Sequence, residues 1–175
     1  MSKGRILVVD DEEVIRNLFQ DMLGEEYSIT TVANGEDGFQ EAMNNDYDLM
    51  IVDIMLPGDD GLKIIRHIKK MDEDAVIIVI SGASTFENIQ EALRLGVFDY
   101  VTKPFDIDQI SFAVKRAMSS SNLIKANKRL MRELSIRNTV LEETIDERTE
   151  RLALTYEHLQ NVYMNGLPHD TFTDS

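Results

Sequence analysis

Hydrophobic residues fall along this chain in two alternating patterns. Short apolar runs recur at Arg5 to Val9, Ser28 to Val32, Leu49 to Val52, Ala75 to Ile80 and Phe98 to Thr102, nearly continuous at Leu49 to Val52. Between them, apolar positions return every three or four residues. The runs predict strands covered on both faces and the intervening stretches predict helices, which together specify an α/β fold with a parallel sheet and crossover helices. The expected inward faces are Val14, Leu18 and Met22 on the first helix, and Phe39, Ala42 and Met43 on the second. Leu62, Ile65 and Ile68 serve the third, and Ile107, Ile110, Val114 and Ala117 the last. Turn chemistry agrees with this division. Asn34-Gly35 and Gly61 open helices, Ser84 with Glu87 forms a capping-box pattern, and Gly96 stops the fourth helix. Asp10 or Asp11 is placed to cap the first, because a carboxylate accepts the free N–H groups of a first turn.

The stretch from Leu49 to Gly61 matters most. Its apolar run delivers a lone carboxylate, Asp53, to a point where Pro57 and Gly61 turn the backbone. In open α/β sheets, ligands bind outside the C-terminal ends of the strands. The other strand ends carry Asp10 and Asp11, Ser81, and Lys103. Residues far apart in sequence are therefore expected to converge on one acidic pocket with one cation and one hydroxyl.

Crowded carboxylates repel one another, and a hard divalent cation such as Mg²⁺ relieves that repulsion. A phosphoryl group on Asp53 would then be neutralised by the metal on one side and Lys103 on the other, with Ser81 donating to a third oxygen. Phosphoryl transfer depends on such positioning and charge stabilisation, and an aspartate is a competent nucleophile for it. Taken singly, each residue has a plainer role: Asp10 and Asp11 as a helix cap, Lys103 and Ser81-Gly82 as turn residues, Tyr100 as a half-buried strand aromatic. Their joint occurrence at four strand ends favours the pocket.

Ile6-Leu-Val-Val-Asp-Asp11, Asp53-Ile-Met-Leu-Pro-Gly with Asp60-Gly61, Ser81-Gly-Ala and Tyr100-Val-Thr-Lys-Pro-Phe105 resemble, in order and spacing, the receiver domain of two-component response regulators. The resemblance covers roughly residues 3 to 118. It implies a flavodoxin-like, doubly wound (βα)5 sheet of order 2-1-3-4-5. It implies that Asp53 accepts a phosphoryl group from a histidine kinase or phosphotransfer protein, with Mg²⁺ held by Asp10, Asp11, Asp53 and the backbone carbonyl of Met55. Lys103 would pair with the phosphate through a chain whose Lys103–Pro104 bond is cis. Ser81 and Tyr100 match the switch positions that report phosphorylation to the face formed by the fourth helix, fifth strand and fifth helix.

Beyond Ser119 glycine and proline vanish until Gly166-Leu-Pro168, which predicts one long helix. Leu123, Leu130, Leu134 and Leu141 fall on one heptad frame with Asn127 at a core position, and Ile145, Leu152 and Leu159 on a second frame offset by about one residue. The expectation is a parallel, dimerising coiled coil, and Asp146-Glu-Arg-Thr-Glu-Arg151 is similar to the signalling-helix coiled coils that precede output domains. The expected division is a receiver over residues 1–120, a helix over 121–163 and a short flexible tail over 164–175. His67 and His158 read as surface residues. His169-Asp170 has too few residues after it to build a phosphotransfer helix hairpin.

Composition narrows the partners. A formal charge of −14 argues against nucleic acid, whose recognition rests on cationic contacts. The chain contains no cysteine, so thiolate metal sites and nucleophiles are excluded and a reducing cytoplasm is expected. No stretch approaches the roughly 20 apolar residues of a membrane span, and the strand pattern begins too early for a leader peptide. The reading is a receiver that modifies only itself, not a turnover enzyme. Two rivals are an aspartyl-phosphate phosphohydrolase and a coiled-coil adaptor with a dormant receiver fold.

Overall fold

The computed structural model describes residues 3–57, 61–82 and 85–165. Five strands, β1 (Arg5–Val9), β2 (Ser28–Val32), β3 (Leu49–Asp53), β4 (Ile77–Ser81) and β5 (Asp99–Thr102), alternate with helices α1 (Glu13–Leu23), α2 (Gly35–Asn44), α3 (Gly61–Met71), α4 (Phe86–Arg94) and α5 (Ile107–Asn165). The strands form one parallel sheet in the order β2-β1-β3-β4-β5, the flavodoxin-like arrangement. The chain divides between Ala126 and Asn127, later than residue 120, and each unit is described by itself.

Alternation along the strands explains why their sequences read as continuous apolar runs. Leu49 and Ile51 of β3 enter one layer with Ile6, Phe19, Ile78 and Val114, while Met50 and Val52 enter the other with Leu7, Val9, Leu62 and Ile65. All four are buried. Burying each such side chain contributes about 1.5–3 kcal/mol, an upper bound because unfolded chains already bury part of that surface. In β1, β3 and β4 no water-facing alternation is left to mark the strands, and the runs stay apolar.

Several expected helix faces are displaced. Val14 is 77% exposed, and α1 packs through Ile15, Phe19 and Leu23 together with the expected Met22. Met43 and Ile107 are also largely exposed, although Ile110, Val114 and Ala117 fill the core as expected. The caps differ too. Glu12 is the N-cap of α1 and makes no side-chain cap bond. Helix α4 is capped by Thr85, whose hydroxyl accepts from the Asn88 N–H; Ser84 lies outside the described residues. Gly96 ends α4 in the left-handed region at φ +71°, as its sequence position predicts.

Strands β4 and β5 begin at Ile77 and Asp99, slightly later than the apolar runs that signal them. Helix α5 runs unbroken to Asn165, so the first residues of the expected flexible tail are helical, while 166–175, with His169 and Asp170, lie outside the described residues. Within the first unit α5 keeps packing past residue 118. Ser121 is buried, Ile124 packs against the core, and Lys125 pairs with Asp48 at 2.6 Å.

Candidate functional site

Strand β3 carries Asp53 to the C-terminal edge of the sheet, where it is 3% exposed. One oxygen, Oδ1, accepts from the Met55 N–H at 2.7 Å. The other, Oδ2, lies 2.7 Å from Lys103 Nζ. The following loop depends on Gly61. A Cβ there would lie 2.5 Å from the Asp53 carbonyl oxygen and 2.6 Å from Ile54 Cα, so the start of α3 seats directly against the backbone at the end of β3. Residues 58–60 of that loop, including Asp60, lie outside the described residues.

The end of β1 supplies the adjacent carboxylates. Asp10 is fully buried, and its Oδ1 accepts from the Glu12 N–H at 2.9 Å. This explains why Asp10 does not cap α1: its carboxylate serves the loop ahead of the helix. Asp11 is exposed. Arg16 reaches back from α1 and donates to the carbonyls of Asp10 and Asp11 at 2.7 and 2.8 Å, holding the loop in shape. Oxygen atoms of Asp10, Asp11 and Asp53 lie within 4.8 Å of one another. Asp10 Oδ2 is buried and, although 2.8 Å from Lys103 Nζ, meets no donor in hydrogen-bond geometry. A buried carboxylate oxygen so placed beside two more carboxylates fits a hard divalent cation.

Lys103 closes the pocket from the end of β5. Its backbone N–H donates to the Ser81 carbonyl at 2.8 Å, and the Lys103–Pro104 bond is cis. The ammonium touches three carboxylates, Asp53 and Asp10 as above and Glu12 Oε1 at 2.8 Å. Burial disfavours its charge, but the adjoining carboxylates of Asp10, Asp53 and Glu12 outweigh that and hold its pKa well above the ordinary lysine value. Burial acts in the opposite sense on Asp10, raising its carboxyl pKa against the lowering effects of Lys103 and the Glu12 N–H, with Asp53 adding repulsion. The pocket thus stores unfavourable negative charge relieved by a single cation.

Ser81 is fully buried at the end of β4, one position beyond Ile80, which lies opposite Asp53 in the sheet. Tyr100 is half-buried on β5 opposite Val79 and packs against the layer containing α3 and α4. The structure therefore brings together Asp10, Asp11, Asp53 and Lys103 in one pocket, with Ser81 on its edge and Tyr100 on the neighbouring strand. Met55 meets the site through its N–H. Sequence reasoning missed Glu12 and Arg16. The acidic run Asp10-Asp11-Glu12 carried a signal for the first, since a third carboxylate at a strand end has no core role. His67 and His158 are exposed, as expected.

The response regulator receiver domain family model matches residues 6–115. The uncharacterized transcriptional regulatory protein YkoG of Bacillus subtilis is 36% identical over 119 residues, 67% of this chain and 52% of that protein. Response regulator ArlR of Staphylococcus aureus is 34% identical over 127 residues, 70% of this chain and 58% of the relative. The chain spans little more than half the length of these curated relatives. Among solved structures, response regulator protein TrrA of Thermotoga maritima, in complex with Mg²⁺ and BeF, is 38% identical, with a TM-score of 0.60 over 65% of this chain and 98% of that one. A CheY-like receiver domain protein of Methanospirillum hungatei is 25% identical, with a TM-score of 0.67 over 69% of this chain and 98% of that one. With the sheet order and the pocket already in place, these matches show that the chain belongs to the response regulator receiver domain family.

Proposed function

We propose that Asp53 accepts a phosphoryl group from a sensor histidine kinase or a phosphotransfer protein in a Mg²⁺-dependent reaction. The observation that carries this reading is the meeting of three carboxylates and one lysine at Asp53, with Lys103 Nζ 2.7 Å from its Oδ2. An Asp53 oxygen bonds to phosphorus as the bond from phosphorus to the donor breaks. Lys103 stands beside that oxygen with its charge firmly held, ready to receive a phosphoryl oxygen in place of a carboxylate. Asp10, Asp11, Asp53 and the Met55 carbonyl would hold Mg²⁺, which when bound neutralises phosphoryl charge from the opposite side.

The Ser81 hydroxyl is the donor for a further phosphoryl oxygen. Its movement leaves room for the Tyr100 ring, a two-state element biased by a local change of charge. The readout surface is the face of α4, β5 and α5, where Arg116 pairs with Asp99 at 2.6 Å and lies over the Phe98 and Phe112 rings at 5.5 and 5.4 Å. From there the state passes to a dimerising helical tail or to an output domain beyond it. The protein modifies itself rather than turning over a substrate and works in the cytoplasm without contacting nucleic acid or membrane. Among the described residues, no helix is long and apolar enough to cross a membrane.

The test is incubation of the chain with a small-molecule phosphodonor and Mg²⁺, read by intact mass. One added phosphoryl group on the wild type and none on Asp53→Asn is the expected outcome. A wild type that never labels points to the dormant adaptor, and sustained hydrolysis of a phosphate ester points to the phosphohydrolase.

A further inference from the structure

Glu12 carries a carboxylate that neither the fold nor the proposed metal ligands account for. It is the N-cap residue of α1, yet its side chain makes no cap bond. Its backbone is fixed at both ends. The N–H donates to Asp10 Oδ1 at 2.9 Å, and the carbonyl accepts from the Ile15 and Arg16 N–H groups at 3.1 Å. The side chain is 57% exposed, against 0% for Asp10 and 4% for Asp53. From that exposed position Oε1 accepts a hydrogen bond from Lys103 Nζ at 2.8 Å. An ion pair with so exposed a carboxylate contributes little to stability. A further carboxylate beside Asp10, Asp11 and Asp53 also adds repulsion to a site already crowded with them.

The ammonium it holds gives Glu12 a place in the chemistry. Lys103 Nζ makes two hydrogen bonds in good geometry, one to buried Asp53 Oδ2 and one to Glu12 Oε1. Asp10 Oδ2 lies 2.8 Å away without that geometry. The exposed side of the ammonium is therefore the side that Glu12 occupies. As an Asp53 oxygen bonds to phosphorus, the bond from phosphorus to the donor breaks and its electron pair leaves with the donor. A non-bridging phosphoryl oxygen then needs an N–H of Lys103. Asp53 and Asp10 are buried and have no water to turn to, whereas exposed Glu12 can be rehydrated, so Glu12 is the partner that yields. With a divalent cation bound, that cation and Lys103 balance Asp10, Asp11 and Asp53. Glu12 is then the uncompensated charge that meets an entering anion.

Taking Asp53 as the phosphoacceptor, we propose that Glu12 selects among phosphodonors: its carboxylate occupies the Lys103 N–H that an incoming phosphoryl oxygen needs, and it repels small phosphodonors in proportion to their negative charge. Like-charge juxtaposition is a general means of rejecting one ligand in favour of another.

The test is labelling of Asp53 in the full chain at saturating Mg²⁺, read by intact mass. The two donors are acetyl phosphate, a dianion at neutral pH, and phosphoramidate, predominantly a monoanion. Glu12→Gln keeps the shape of the side chain and an acceptor oxygen but removes the charge. It is expected to speed labelling about tenfold with acetyl phosphate and about threefold with phosphoramidate, the scale of unit charges several ångströms apart in water. At about 1 M salt, where the screening length is about 3 Å, the two proteins should converge. Glu13 is exposed in the same first turn, and Glu13→Gln should leave both rates within about twofold of the wild type. Slower labelling of Glu12→Gln with both donors would make the carboxylate a support for Lys103 and overturn the proposal, as would an equal effect of Glu13→Gln. A Glu12→Gln chain that loses the Mg²⁺-linked rise in Tm would place Glu12 among the metal ligands and overturn it too. Absence of labelling in the wild type and the variant with both donors is the separate result that overturns the phosphoacceptor reading, and the role of Glu12 with it.

Discussion

Lys103 Nζ lies 2.7 Å from Asp53 Oδ2 although the two residues are 50 positions apart. The contact joins the ends of β3 and β5 across β4, and two further carboxylates share the same ammonium. Removing the cation should therefore be felt in both chemistry and stability. Lys103→Ala is expected to slow labelling of Asp53 by a small phosphodonor about 100-fold, the scale of losing one preorganised charge-stabilising donor. In the absence of Mg²⁺ it should also cost about 3 kcal/mol of unfolding free energy, because Asp10 and Asp53 remain buried without it. Glu12→Ala, at a partner more than half exposed, should change stability by no more than about 0.5 kcal/mol. Urea unfolding and a labelling time course check all three outcomes.

Divalent metal should stabilise the protein through the same carboxylates. At a Mg²⁺ concentration one hundred times its Kd, the wild type should gain about 2.7 kcal/mol, seen as a rise in Tm. Asp11→Asn removes an exposed ligand without disturbing the core and should abolish most of that gain. A Tm rise that survives Asp11→Asn would place the metal elsewhere.

Gly61→Ala tests how tightly the start of α3 is seated. The added Cβ meets backbone atoms of Asp53 and Ile54 at 2.5–2.6 Å, and backbone cannot rotate away as a side chain can. A loss of at least about 2 kcal/mol is expected, with slower labelling because Asp53 shifts with its strand. Wild-type stability and labelling in the variant would refute the close seating.

At low pH the Asp48 carboxylate should report on the extended part of α5 in the first unit. Burial raises its pKa, but hydrogen bonds from Lys125 and the Arg5 N–H outweigh burial and hold it below the ordinary value. A carboxyl depressed in the folded state stabilises above its unfolded pKa, and that contribution is lost as pH falls through the folded one. The loss is therefore confined to pH below about 4. Asp48→Asn should cost about 1 kcal/mol at pH 7 and little below that window, so the acid limb of its stability curve should be flatter than that of the wild type.

Much of this was legible before any coordinates. All five strands stand where their apolar runs lie, because β1, β3 and β4 are covered on both faces and tolerate no polar interruption. The errors cluster on helices. Val14, Met43 and Ile107 have helical spacing yet face water. Periodicity reveals that a stripe exists, whereas its rotation about the helix axis depends on which neighbours fill the space. The capping role expected of Asp10 failed for a related reason, since its carboxylate bonds the Glu12 N–H ahead of the helix and faces Lys103.

Asp10, Asp11, Asp53, Ser81 and Lys103 were recognisable because the order of strands and turns alone places them at one edge of a parallel sheet. Glu12 was signalled only by its place in the acidic run after β1, and Arg16 not at all, since nothing local distinguishes it from an ordinary charged first turn. The sequence by itself determined the order and type of the elements and which polar groups terminate them, because burial and turn chemistry act within a few residues. Only the tertiary structure decided which oxygen meets which donor. Lys103 reaches three carboxylates at 2.7–2.8 Å because the packing of β1, β3 and β5 sets their ends at those distances.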